Sequence, residues 1–115
     1  MTDLDHARRF ALSLPGVTEE PHFEMSSFRV RGKIFVTVPP DGDRLHVFVD
    51  EPEVDACVAE DPAAFEPLRW GPRIRGLRIQ LAAAPAARVQ ELIEDAWRRK
   101  APKCLAADFE SDDQR

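Results

Sequence analysis

Only two cysteines occur in the 115 residues, Cys57 and Cys104, far apart and in no metal-ligand spacing. The chain therefore offers no disulfide framework and no zinc site to staple its fold. No apolar run approaches the roughly 20 residues of a membrane-spanning helix, and the opening "MTDLDHARRF" lacks a signal-peptide core. We therefore expect a soluble, cytoplasmic protein with reduced thiols and no membrane partner. Positive charge is in deficit: 16 Lys and Arg against 21 Asp and Glu give a net charge of −5, so no global field draws the molecule to nucleic acid or anionic lipid.

Catalytic signatures are missing too. The five glycines are scattered and build no phosphate-cradling loop. Ser26 and Ser27 lie in no Gly-x-Ser-x-Gly elbow. His6, His22 and His46 share no i, i+4 ligand spacing. The acidic stretch from Asp41 to Asp61 lacks the ordered oxygen ligands of a calcium loop. Cys57 sits among Asp55 and Glu60, which disfavour a thiolate; Cys104 follows Lys103, which favours one only slightly. No metal, no cofactor and no enzymatic activity are expected from these residues.

What is present reads as one domain with its own core, since 43% of residues are hydrophobic and 32% charged. Leu4, Ala7, Phe10, Ala11 and Leu14 recur at helical spacing. They predict a helix over roughly Asp3 to Ser13, capped by Thr2 and stopped by Pro15-Gly16. The period then changes to two. Phe28 and Val30 alternate with Arg29 and Arg31, Gly32 allows a tight turn, and Ile34, Val36 and Val38 alternate with Phe35 and Thr37. After the turn "PPDGD", Leu45, Val47 and Val49 alternate with His46 and Phe48.

"DEPEVDACVAEDP" reads as a short acidic helix capped by Asp50, and "AAFEPLRWGPRIRG" as a structured loop. "LRIQL" is a further strand with Leu77, Ile79 and Leu81 inward. A long helix from about Pro85 to Lys100 carries Val89, Leu92, Ile93, Ala96 and Trp97 on one stripe. "APKCLAADF" suggests another short turn of helix. The sum is an α+β two-layer sandwich, with an antiparallel sheet of about five strands and helices on one face. Residues 1–107 form the domain and 108–115 a polar tail.

Basic and aromatic residues give the candidate site. "RWGPRIRGLR" contains Arg69, Arg73, Arg75 and Arg78 with no acid among them. Strand alternation places Arg29, Arg31, His46 and Arg78 on the face away from the helices, with Phe35 and Phe48 beside them. Three readings stay open. The arginine stems pack over the two rings, or the rings mark a dimer interface, or guanidinium groups and rings form a nucleic-acid platform. The negative net charge favours the first two. His22 beside Phe23 reads as a partly buried structural residue ahead of a general base; with Trp70 it would also line a ligand groove.

Several separated pieces occur in a telling order: Leu14-Pro15-Gly16, His22, Gly32-Lys33-Ile34-Phe35, Trp70-Gly71 and Ala101-Pro102-Lys103. From the first helix to about Ala107 the chain resembles the MmcQ/YjbR family of small bacterial proteins. The resemblance implies a compact α+β fold of the kind likened to frataxin-like domains, and a DNA-binding role without a catalytic set. Frataxin-like iron binding is not expected, because the first helix offers only Asp3 and Asp5. On this reading Arg29, Arg31, Lys33, Arg73, Arg75 and Arg78 contact phosphate and Trp70 stacks or wedges, in a monomer or weak homodimer. The alternative is a small-molecule or protein-binding module using His22 and Trp70.

Overall fold

A computed structural model describes the backbone of residues 2–22, 25–40 and 42–101, and the side chains of these except His22 and Trp70. Three helices and six strands follow in the order α1 (Leu4–Ser13), β1 (Val17–His22), β2 (Met25–Val30), β3 (Lys33–Val38), β4 (Arg44–Val47), α2 (Glu51–Glu60), β5 (Phe65–Trp70), β6 (Arg73–Gln80) and α3 (Ala86–Lys100) among the described residues. The strands form one antiparallel sheet in the order β1-β2-β3-β4-β6-β5, and the helices pack on it. The α+β reading holds.

Local chemistry accounts for the helix ends. Asp3, not Thr2, caps α1: it is extended, and its carboxylate accepts from the His6 backbone N–H at 2.9 Å. A charged acceptor there meets both the orphan N–H groups and the positive end of the helix dipole. Asp50 caps α2 as expected, with a proline in the first turn. The stripe on α3 is fully buried, and Trp97, its largest member, donates from Nε1 to the Pro15 carbonyl at 3.0 Å. That bond pins α3 to the turn between α1 and β1.

Cross-strand pairing sorts the two faces of the sheet. Phe28, Val36, Val47 and Leu77 lie side by side across four strands and are all buried under the helices. One residue along, the row Ser27, Thr37, His46, Arg78 and Glu66 occupies the opposite face, which carries none of the described helices. Ser27 is buried but satisfied: its hydroxyl donates to the Glu20 carbonyl at 2.7 Å and accepts from Arg29 Nε at 3.1 Å.

Two features differ from the expectation. The sheet has six strands rather than about five, because Val17–His22 and Phe65–Trp70 are both strands. They are its two edges, and each contains a proline, Pro21 and Pro67. An edge tolerates that loss of a donor, and this is why the sequence pattern reads the Phe65–Trp70 segment as loop and leaves Val17–His22 unassigned. Phe35 is the second correction. Phe28 pairs with Val36 but Arg29 with Ile34, so Phe35 is the extra residue of a β-bulge. Its ring is fully buried in the core instead of standing beside Phe48. Phe35 therefore has no part in an open aromatic platform or a dimer interface.

Arg88 on α3 links the two helices flanking the core. Its guanidinium lies 3.4 Å from Glu53 and 3.3 Å from Glu60, both on α2, and 3.3 Å from Glu91. Burial works against this cation, but the surrounding Cys57, Glu60, Glu53 and Glu91 outweigh it and raise its pKa.

Candidate anion-binding cleft

The topology gathers basic residues at one end of the molecule. Strands β3 and β6 both pair antiparallel with β4, so they run in the same direction and begin at the same end. The two hairpin tips, Arg31-Gly32 and Gly71-Pro72, therefore share that end. Helix α3 finishes there as well: Arg99 Nη1 donates to the Phe48 carbonyl, just past β4, at 2.8 Å. Its last turn is Arg98, Arg99 and Lys100, cations that suit the negative end of the helix dipole.

The β2–β3 tip is a two-residue turn with φ of 53° at Arg31 and 80° at Gly32. Positive φ at both central positions is the type I′ pattern, which favours Asn-Gly. Arg31 is the only non-glycine residue with positive φ among the described residues. An L-residue held there costs roughly 1–2 kcal/mol, so this exposed cation is kept against its backbone preference.

Between the tips, the face opposite the described helices sinks into a cleft of about 760 Å³. Its floor comprises Ile34, Phe48, Leu68 and Ile74 beside the polar pair Thr37 and His46. Ile34 reaches this face because of the Phe35 bulge. A second bulge does the same for Arg75: Leu68 pairs with Gly76 but Arg69 with Ile74, leaving Arg75 as the extra residue. Gly76 is needed under Phe48. A Cβ there would stand 2.4 Å from the Val47 carbonyl oxygen and 3.2 Å from Phe48 Cδ1.

Charge on the cleft wall is unequal. Arg69, Arg75, Arg78, Arg99 and Lys100 line it against the carboxylates of Asp50 and Glu51, five cations to two among the described residues. Arg78 is engaged with Glu66 at 3.2 Å, while its Nε is buried without an acceptor among the described residues. Arg69 and Lys100 make no ion pair with a described residue.

The sequence-derived site residues divide accordingly. Arg75 and Arg78 line the cleft, and Arg31, Lys33 and Arg73 stand exposed on the two tips beside it. Arg29 does not join them. Its Nη2 donates to the Pro21 carbonyl at 3.3 Å and its Nε to Ser27, so it braces the edge strand. For His22 and Trp70 the structure gives backbone positions only, opposite Met25 and Arg73. Their side chains lie outside the description, as do Lys103, Cys104 and the expected turn of helix after Ala101. Arg69, Arg99 and Lys100 are cleft residues that the sequence does not nominate. The basic run closing α3 is visible, but its meeting with a hairpin tip depends on long-range topology. Cys57 is fully buried. Burial raises its pKa, Glu53 and Glu60 add to the effect, and Arg88 opposes it, so this thiol is a core filler rather than a nucleophile.

The comparisons agree on the fold. A crystal structure of the Deinococcus radiodurans protein DR2400, with a DUF419 domain, superposes with a TM-score of 0.76 at 19% identity, covering 94% of this chain and 88% of that one. No curated protein matches. No helix among the described residues is long and apolar enough to cross a membrane. The YjbR family model matches residues 12–99, which takes in every strand, α2 and nearly all of α3, and this chain belongs to the YjbR family.

Proposed function

We propose that this protein binds DNA through its basic end, as a binding domain without chemistry of its own and largely independently of sequence. The observation that carries the reading is the convergence of Arg31, Lys33, Arg69, Arg73 and Lys100, from two hairpins and the end of α3, on one end of a protein with net charge −5. None of these five makes an ion pair with a described residue, whereas Arg8 and Arg88 elsewhere are matched to carboxylates. A local patch of this kind attracts phosphates where the molecule as a whole does not. The unfavourable backbone of Arg31 adds support, because strain retained at an exposed position points to a role for the side chain.

Phosphate contacts make affinity strongly salt-dependent. If four cations each neutralise one phosphate of a duplex, affinity falls roughly 150-fold between about 50 and 200 mM salt. The test is fluorescence anisotropy with a labelled duplex at both salt concentrations, for the parent and an Arg31→Asn/Arg73→Gln variant. Asn suits the left-handed turn better than Arg, so the hairpin keeps its shape while losing charge. The double variant should bind more weakly at low salt, with a shallower salt slope. Absence of binding at low salt, or affinity indifferent to both changes, overturns the reading.

A further inference from the structure

We infer that the cleft is a nucleotide pocket, built for an aromatic base with its phosphate, which on DNA means an unpaired nucleotide. The inference rests on the DNA-binding reading for its biological source, but its own support is the shape and chemistry of the cleft. About 760 Å³ lies within the range of small-ligand sites, roughly 300–1,000 Å³. A phosphate alone needs no such volume and no apolar floor.

The floor is suited to a flat ring. Phe48 is half-buried with Ile34 and Ile74 near it, and its ring stands over Gly76, where any side chain would collide with it. Phe48 also follows directly on the sheet, and its carbonyl is held by Arg99. The aromatic surface is thereby fixed before a ligand arrives, which lowers the entropy cost of stacking.

The walls supply both polarities that a nucleotide needs. Arg69 and Lys100 present donors for phosphate oxygens, while Asp50 and Glu51 present acceptors for the N–H groups of a base, the ring N3–H of thymine included. A B-form duplex inserts a base into a cleft only at the cost of unpairing and unstacking it, a few kcal/mol, whereas a single strand does so without that cost, its neighbouring phosphates reaching the hairpin-tip cations. A free mononucleotide carries the same chemistry, and the experiment separates the two sources.

The test compares three probes at one low salt concentration: a labelled single-stranded thymidine 12-mer, a duplex of the same length, and free thymidine monophosphate followed by NMR shifts. Each is titrated against the parent, Phe48→Leu and Arg69→Gln; the last, on an exposed rim residue, stays informative if Phe48→Leu perturbs folding. The single strand should bind at least tenfold tighter than the duplex. Losing the Phe48 ring should weaken single-strand binding by about 5- to 150-fold, as loss of one base stack does, and leave duplex binding unchanged. Arg69→Gln should weaken the single strand and the monophosphate together. Tight monophosphate binding with no affinity for either oligonucleotide upholds the pocket and overturns the DNA reading. Equal affinity for single strand and duplex, with Phe48→Leu silent, overturns the pocket and leaves the DNA reading standing. Binding of none of the three overturns both.

Discussion

Gly76→Ala tests how tightly the cleft floor is built. The substitution changes one methyl group, in a strand position whose backbone does not require glycine for its φ. Were there room for the new methyl group, alanine would stabilise by about 0.4–1 kcal/mol through the unfolded chain. Space is what is missing. The new Cβ would lie 2.4 Å from the Val47 carbonyl oxygen and 3.1 Å from Phe48 Cα, both backbone atoms with no rotamer to yield. Reaching even 3.0 Å from the oxygen requires strands β4 and β6 to part by about 0.6 Å. Overpacking of this kind costs about 1–3 kcal/mol, so the net loss is about 1–2 kcal/mol. For a chain of this length that lowers Tm by roughly 4–10 °C. Thermal unfolding followed by circular dichroism at several scan rates measures it. A Tm equal to or above that of the parent would refute the argument, since it would mean that the sheet accommodates a side chain between Val47 and Phe48 without strain.

Other parts of the molecule yield sharper expectations for stability and reactivity. Arg88→Gln leaves Glu53, Glu60 and Glu91 clustered without their shared cation; denaturant titration should show a loss of about 1–2 kcal/mol that shrinks in high salt. Trp97→Phe leaves the Pro15 carbonyl without its indole donor and should cost about 1–3 kcal/mol in the same assay. Asp95 is exposed, but partial desolvation, and then the neighbouring Glu94, raise its pKa against the pull of Arg88. Its ionised form is therefore disfavoured in the folded state. Asp95→Asn should raise Tm at neutral pH, and the gain should disappear below the ordinary aspartate range, where both states are protonated; a gain that persists there refutes the assignment. Cys57, studied in a Cys104→Ser background, should resist a disulfide reagent in the native protein and react fully once denatured.

How far the sequence carried depended on the range of the forces involved. The helices α2 and α3 were readable nearly to the residue, because caps, prolines and an apolar stripe act within one or two turns. Leu77, Ile79 and Leu81 were readable for the same reason, as strict alternation over one face. Phe35 was not: a bulge is set by how β2 pairs with β3, and alternation within β3 alone puts its ring on the wrong face. Edge strands β1 and β5 escaped because the residues an edge tolerates, proline and carboxylates, are those that argue against a strand. The candidate site followed the same division. Its arginines were conspicuous in "RWGPRIRGLR", but the addition of Arg99 and Lys100 and the removal of Arg29 depend on which strand ends meet in space.

The two edge prolines limit how this protein can meet another chain. Strand addition requires a continuous row of outward N–H and C=O groups, and Pro21 interrupts that row on one margin as Pro67 does on the other. Strand addition by an extended peptide, or edge-to-edge pairing of neighbouring copies, is disfavoured by that break. The margins thus offer little backbone for pairing, and the face that carries none of the described helices presents side chains instead, its cleft and cations among them.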